Sequence, residues 1–257
     1  MDFKDEVIIV TGSGRGIGKA VVTALAEKGA KVVVNDIDED VAYTTAAEIN
    51  EKGGQAIAAV GGVDDARFTQ KMVQDTVDAF GTVTIVINNA AITRPAMIDK
   101  MTEDQWDSVI DIGLKGIFNM YQAVAPIFKE RGKNNPEALS NGKVINITSV
   151  AALTGTIGQI NYAAAKAGVI GMTRSAAREW GKYRIQSNAV AFGIVETRMT
   201  ETIRGEKFED IYKSKIVLNR FATVEDVIPG ILFLASSGAN YITGDILNLS
   251  GGYHIGS

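Results

Sequence analysis

Ser149, Tyr162 and Lys166 bring a hydroxyl, a phenol and an ammonium into one stretch, SVAALTGTIGQINYAAAK, and together these groups can move a proton onto or off an oxygen atom. Tyr162 and Lys166 stand four apart. The alanine content from about Gln159 onward predicts a helix, where residues at that spacing share a face. Ser149 follows an alternating apolar run, 143–148, that reads as a strand. A phenol is a poor acid or base near neutrality, its reference pKa being about 10. One cation roughly 4 Å away contributes on the order of 4 kcal/mol at an effective dielectric of 20, about what a ~3-unit drop requires. Lys166 is the candidate cation. Ser149 can then hydrogen-bond a substrate carbonyl oxygen while Tyr162 gives it a proton, or takes one back from the alcohol. A Tyr-x-x-x-Lys pair also arises from ordinary surface residues on an amphipathic helix, so the rest of the chain must decide.

The chain has 257 residues, 46% of them hydrophobic, enough for a substantial core in one domain, 1–257. A net charge of -4 lacks the basic excess of a nucleic-acid surface, so no nucleic-acid partner is expected. With no cysteine and one histidine, disulfides, thiol nucleophiles, thiolate zinc sites and Ser-His-Asp chemistry lose support, and no metal site is expected. His254 reads as a tail residue rather than a ligand. No basic flank leads into a long apolar region and no apolar run approaches the ~18 residues of a membrane span, so a soluble, cytoplasmic protein is expected.

A short apolar run at 6–11 (EVIIVT) is followed by Gly12, Gly14, Gly16 and Gly18, and 19–28 then shows helical periodicity. This is strand, turn, helix. Glycines there let the backbone approach a pyrophosphate at a helix N-terminus. The spacing Gly-x-x-x-Gly-x-Gly differs from the common Gly-x-Gly-x-x-Gly fingerprint, although its placement is the same. A second strand, 31–36 (KVVVND), ends in Asp36, whose carboxylate can accept from adenosine ribose hydroxyls. With Asp38, Glu39 and Asp40 nearby, it would repel a 2′-phosphate, which favours NAD over NADP. Arg15 points mildly the other way: its guanidinium could grip a 2′-phosphate, pair with Asp36 or stack on adenine.

Strands at 55–60, 83–88, 143–148, 184–191 and 246–249 alternate with helical stretches at 66–80, 102–129, 159–182 and 223–236. Such alternation predicts an α/β fold, a doubly wound parallel sheet of about seven strands with helices on both faces. The polar segment 131–142 (RGKNNPEALSNG) reads as an exposed loop of no legible function.

From end to end the chain resembles the short-chain dehydrogenase/reductase family, especially its branch of 3-oxoacyl thioester reductases and 3-hydroxyacyl-CoA dehydrogenases. Thr11 to Gly18 resembles the cofactor turn of that family, Asn88-Asn89-Ala90 its fourth-strand motif, and Ser149, Tyr162 and Lys166 its catalytic residues. The segments RFATVED at 220–226 and YITG at 241–244 resemble its C-terminal signatures. The resemblance implies strand order 3-2-1-4-5-6-7 and a homotetramer paired through the helices at 102–129 and 159–182. It implies cofactor contacts from Gly12, Arg15, Gly16, Ile17, Gly18, Asp36, Val63, Asn89, Tyr162, Lys166, Val195 and Thr197, with Lys166 bonding the nicotinamide ribose and Thr197 the carboxamide. The expected reaction is NAD-dependent interconversion of a secondary alcohol and a ketone. The substrate it suggests is a 3-hydroxyacyl or 3-oxoacyl thioester of CoA or a carrier protein.

Four residues depart from the family pattern. Gly113 stands where an asparagine usually supports a water linking the lysine to solvent, and the space it leaves could admit another water. Ala91 replaces the glycine after Asn-Asn-Ala, Phe192 replaces a proline and should alter the floor of the nicotinamide site, and Gly62 stands where an adenine-contacting Asp is common. Gly113 and the changed cofactor floor motivate a second reading, a catalytically weak or silent NAD-binding subunit supporting an active homologous partner in a hetero-oligomer. The connection 198–220 carries six basic residues, Arg198, Arg204, Lys207, Lys213, Lys215 and Arg220, against four acidic ones, and reads either as a contact for carrier phosphates or as a solvated lid. Arg94 could face a substrate carboxylate but reads more simply as an exposed loop residue.

Overall fold

The computed structural model describes residues 1–205 and 209–256. Seven parallel strands lie in the order β3-β2-β1-β4-β5-β6-β7, the order that the family resemblance implies. In chain order the elements are β1 (Val7–Val10), α1 (Gly16–Ala26), β2 (Lys31–Asp36), α2 (Glu39–Glu51), β3 (Gln55–Val60), α3 (Ala66–Phe80) and β4 (Ile85–Asn88). Next come α4 (Glu103–Ile110), α5 (Gly116–Asn134), β5 (Gly142–Ser149), the short α6 (Ala151–Thr154) and α7 (Ile160–Trp180). The chain continues through β6 (Ile185–Phe192), α8 (Glu209–Lys213), α9 (Val224–Ala235) and β7 (Ile246–Leu249).

The strands are apolar on both faces because both are covered. Ile8, Val10, Val32, Val34, Ile145 and Val190 pack with α1 and α9 on one side. Alternate residues, Ile9, Val33, Val86 and Val144, pack with α3, α5 and α7 on the other. This two-residue alternation leaves neither face of the inner strands to solvent, and the polar residues those strands carry, such as Asn88, Asn146 and Ser187, are buried. The sheet order reverses between β1 and β4, which opens a crevice at the carboxyl ends of the strands, the usual ligand position in open α/β sheets. Both the glycine turn after β1 and Ser149 at the end of β5 sit at that edge.

Local sequence places several element boundaries differently from the expectation. The first helix begins at Gly16 rather than Lys19, because the glycines themselves enter its first turn. The polar stretch after β2 forms α2, and the acidic residues expected to act as a field sit in its first turn, where Glu39 and Asp40 suit the positive end of the helix dipole. The long helix expected at 102–129 starts with a Thr102–Gln105 capping box and is interrupted by a π turn, Asp111–Lys115, centred on Gly113. Among the described residues no helix is long and apolar enough to cross a membrane, and no cluster of side chains suits a metal ion.

A buried polar network ties the central strands to α5 and α7. Asn146 donates to the Tyr121 hydroxyl at 2.7 Å and to Thr173 at 2.9 Å, and accepts from Asn88 at 2.9 Å. Tyr121 and Ser187 share a further hydrogen bond of 2.7 Å. The network lies behind the strand ends that carry the candidate chemistry, and it holds β4, β5 and β6 in one register with the helices over them.

Candidate active site

The glycine turn is built by close approach. Gly12 has φ +60°, and a Cβ there would lie 2.9 Å from Ala90 Cα. At Gly18 a Cβ would collide with the Gly12 carbonyl and sit 2.7 Å from the Asn89 side-chain nitrogen. A Cβ at Gly14 would press on Val41 and Asp36. Gly16, by contrast, has φ +56° and faces open space where its Cβ would be. Arg15 at the N-cap of α1 makes no side-chain capping bond and the first turn carries no acidic residue, so the outward amides of that turn remain available to an anion. An open cradle over uncapped helix amides fits the pyrophosphate of a dinucleotide.

The end of β4 locks this turn. The Asn89 amide donates to the carbonyls of Thr11 and Gly12 at 3.0 and 2.9 Å, and the Thr11 hydroxyl accepts from the Asn89 and Ala90 N–H groups at 3.0 and 3.1 Å. Asn89 therefore holds the turn in shape with the donors that might otherwise reach a ligand. Asp36 closes the adenosine side, where its carboxylate accepts from Gly14 N–H at 3.1 Å and Asp38 N–H at 3.2 Å. Arg15 pairs with Asp38, not with Asp36. Val63 is buried, and its carbonyl accepts from Asn119 on α5 at 2.9 Å. A Cβ at Gly62 would collide with Asp64 Oδ1, so the Asp64 side chain occupies the space beside that position.

The structure brings Ser149, Tyr162 and Lys166 together. Tyr162 and Lys166 stand on successive turns of α7, and Lys166 Nζ lies 5.7 Å from the centre of the Tyr162 ring. Lys166 is 1% exposed and donates to the Ile147 carbonyl at 2.7 Å, while its own carbonyl accepts from Thr148 at 2.7 Å. Two of its three N–H donors remain for a ligand such as a ribose. The Ser149 oxygen accepts from Ala151 N–H at 3.2 Å, which leaves its own hydroxyl proton free to donate.

The electrostatics correct the simplest expectation for the phenol. Burial pushes Tyr162 above the ordinary range, and the neighbouring Ser149 hydroxyl opposes that rise. Burial also lowers Lys166 to about 8. The ammonium is bonded to Ile147 and lies over the ring face, so burial of the phenol outweighs it.

Asn161, absent from the sequence reading, anchors the start of α7. It is fully buried, donates to the carbonyls of Arg94 and Gln105 at 3.0 and 2.8 Å, and accepts from Tyr162 N–H at 2.8 Å. Arg94 itself is exposed. On the far wall Val195 bridges Ala222, and its carbonyl accepts from Thr200 at 2.6 Å. Arg204 donates to the Thr197 carbonyl at 3.1 Å and to Thr200 at 3.2 Å. Arg204 thus holds the Thr197 turn instead of facing solvent. Lys213 pairs with Glu209, already one of the four acidic residues of the stretch, and Arg220 pairs with Asp226 from outside it, which removes one of the two excess positive charges; Lys207 lies outside the described residues. Phe192 is buried in the core with Ile147, Val195 and Val227. A Cβ at Gly113 would meet only Ala165 Cβ, at 3.6 Å, so a side chain can leave the backbone there without a clash.

With this geometry in view, comparisons with known proteins settle the family. Residues 12–254 match the family model described as Enoyl-(Acyl carrier protein) reductase. The chain is 39% identical over 253 residues to the 3-oxoacyl-(acyl-carrier-protein) reductase FabG of Thermotoga maritima, a match spanning 98% of this chain and 99% of that one. The chain belongs to the short-chain dehydrogenase/reductase family. It is an oxidoreductase of that family. A FabG from Staphylococcus aureus strain Mu50 is 39% identical over 249 residues, covering 96% of this chain and 97% of its own. A crystal structure of a gluconate 5-dehydrogenase from Burkholderia cenocepacia J2315, in complex with NADP and tartrate, superposes with a TM-score of 0.91 at 32% identity, covering 98% of this chain and 96% of that one.

The Asn161 anchor gives a test within this dehydrogenase/reductase. Asn161→Ala removes the bonds to the Arg94 and Gln105 carbonyls and leaves Tyr162 N–H without its Asn161 acceptor, and each buried group left unpaired costs about 1–3 kcal/mol. Thermal denaturation should show a lowered Tm, and turnover should fall more than dinucleotide affinity. Unchanged Tm and turnover would remove the anchoring role.

Proposed function

We propose that the protein is an NAD-dependent ketoreductase and alcohol dehydrogenase acting on 3-oxoacyl and 3-hydroxyacyl thioesters, with Ser149, Tyr162 and Lys166 as its catalytic residues. The observation that carries this reading is the convergence of those three side chains at the crevice edge beside the glycine cradle. When bound, the nicotinamide supplies or accepts the hydride. Gly12, Gly16, Ile17 and Gly18 cradle the pyrophosphate, Asp36 and Val63 flank the adenosine, and Lys166 gives its two spare donors to the ribose. Val195 and Thr197 form the wall at the carboxamide end.

Ser149 donates to the substrate oxygen, which orients the carbonyl and stabilises charge building on it. Tyr162 then gives that oxygen its proton in the reduction, and takes it back in the oxidation. A phenol held above its ordinary pKa is a proton donor at neutral pH, so the empty site is set for reduction.

The acyl substrate is supported by the names of the FabG relatives and by the loops around the site. Leu153 and Ile157 follow Ser149, Met199 follows Thr197, and Met97 follows Ala96, whose N–H bonds Gly158 O; these side chains are 40%, 89%, 50% and 54% exposed. Such an apolar rim suits an acyl chain better than a polyol. The family model is named for reduction of a carbon–carbon double bond, whereas Ser149 and Tyr162 are placed to bind and protonate one oxygen.

The cofactor preference rests on Asp36. The Arg15–Asp38 pair is about half exposed, so it contributes under ~1 kcal/mol and a 2′-phosphate could draw Arg15 away cheaply. Repulsion between that phosphate and the Asp36 carboxylate is larger, on the order of 4 kcal/mol per charge at ~4 Å. NAD is therefore the proposed cofactor, although the gluconate 5-dehydrogenase neighbour holds NADP. The homotetramer belongs to the same reading, with the exposed Trp106 on α4 and Phe118 on α5 as contacts.

Purified protein should oxidise NADH with acetoacetyl thioesters, and Tyr162→Phe should lower kcat by about 100-fold or more while NADH affinity stays within a few-fold. Near-normal activity in that variant would remove Tyr162 from the proton transfer. NADH binding without turnover on any ketone by the wild type would favour the silent-subunit reading.

Lys166 is charged below about 8 and loses its proton as pH rises through that value. The kcat/KM for NADH in the reduction, which reports groups of the empty enzyme, should therefore decline above about pH 8. A profile flat through the alkaline range would contradict the need for a charged lysine.

Wild-type kcat/KM should favour NADH over NADPH, and Asp36→Ala should narrow that ratio by about tenfold or more. A wild-type preference for NADPH would show that Arg15 outweighs Asp36.

A further inference from the structure

The segment 131–142, expected to be an exposed loop, takes no part in the chemistry above: residues 131–134 complete α5, Gly142 opens β5, Asn141 is buried, and the loop between the two elements is fixed in place. Arg184 Nη1 donates to the Ala138 carbonyl at 3.1 Å, and Asn141 Nδ2 donates to the carbonyls of Asn135 and Tyr183 at 3.0 Å each. Ser140 and Gln186 share a hydrogen bond of 2.6 Å, and Gln186 Nε2 reaches the Leu139 carbonyl at 3.4 Å. The loop is thereby held against the start of β6, and it forms one wall of a cleft of about 350 Å³. That cleft opens at the amino ends of the central strands, beside Glu6, Ile85 and Gly142, whereas Ser149 stands at the carboxyl end of β5.

Three charged residues line the cleft: Glu6, Arg131 and Lys143. Lys143 is 5% exposed, and its Nζ donates to the Ser236 carbonyl and Asn240 Oδ1 at 2.7 Å each. An ammonium has three donors, so one is unspent. Arg131 donates from Nη1 to the Val83 carbonyl at 3.2 Å, and its remaining guanidinium donors have no partner among the described residues. Glu6 has no hydrogen-bonded or ion-paired partner for its carboxylate among the described residues, so it sets one diffuse negative charge against two cations. Burial lowers the pKa of both cations, Lys143 to about 8, and Glu6 partly opposes it in each case. Tying the C-terminal end of α9 to β5 accounts for two Lys143 donors and for none of those on Arg131.

We propose that this cleft binds a small oxyanion, a carboxylate or phosphate group held by Arg131 and the free donor of Lys143. The residual charge of the cleft is positive by one, the donors are on two elements that the loop holds apart, and a guanidinium fork with an ammonium is the pairing that planar or tetrahedral oxyanions accept. The site lies at the opposite edge of the sheet from Tyr162, so a ligand there leaves the catalytic crevice open.

The test is hydrogen exchange in the full-length protein, read on peptides covering 131–142, with inorganic phosphate and glutarate titrated separately against chloride at matched ionic strength. Saturating NADH keeps the probes out of the dinucleotide cradle, and the readout does not require turnover. Slowed exchange in that loop with either anion is the expected result, and which anion acts identifies the group. Arg131→Gln should weaken the protection midpoint about tenfold, the loss of one charge-assisted bond. Glu6→Gln should tighten it about threefold, a gain that a merely structural role would not give. No protection by either anion, or a Glu6→Gln variant that binds no better than wild type, would overturn the proposal.

Discussion

Lys166 is the side chain on which the site depends. It is an ammonium in the protein interior, and the full cost of such burial is met only if its donors find acceptors. One acceptor is the Ile147 carbonyl on β5, and the Lys166 carbonyl in turn accepts from Thr148. These two bonds run in opposite senses between the same strand and the same helix. They fix α7 against β5, so the phenol one turn earlier cannot move independently of Ser149 at the strand end. Positioning thus begins with a lysine that is structural through one donor and keeps two for the ribose contact proposed above.

The cofactor side has a comparable economy. Thr11 and Asn89 join the ends of β1 and β4 at the point where the sheet order reverses, and they shape the glycine turn from behind. The cradle side of the turn stays free because Gly16 carries no Cβ and Arg15 does not cap the helix. Asp36 is oriented by two backbone N–H groups, so the carboxylate is in place before any ribose arrives. A preorganised carboxylate loses little freedom on binding, which supports the NAD preference proposed above.

Much of this was legible in the sequence for identifiable reasons. Apolar runs of four to eight residues between glycines marked the strands, and the four-residue spacing of Tyr162 and Lys166 required only that the segment be helical. The strand order and the meeting of Ser149 with the pair were then matters of topology. What stayed hidden was side-chain choice of partner. Asn161 and Arg204 look like any polar residues on a helix or loop, yet each spends its donors on backbone carbonyls beside the site. The Asp64 side chain fills the space beside Gly62 from two positions away, which no spacing rule conveys. The π turn at Gly113 was not read from the sequence either. The rise in the Tyr162 pKa could not be read either, because it depends on how deeply the ring is covered.

The central claim is that burial keeps the phenol protonated in the empty crevice, and the proposed proton transfer in the oxidation requires that it ionise more readily once the dinucleotide is bound. Ultraviolet difference titration of Tyr162, taken as wild type minus Tyr162→Phe, measures this directly with and without saturating NAD. The account predicts ionisation above the ordinary tyrosine range in the empty protein and a clear fall on NAD binding. A phenolate already present near neutral pH without the dinucleotide, or a titration that NAD does not move, would contradict it.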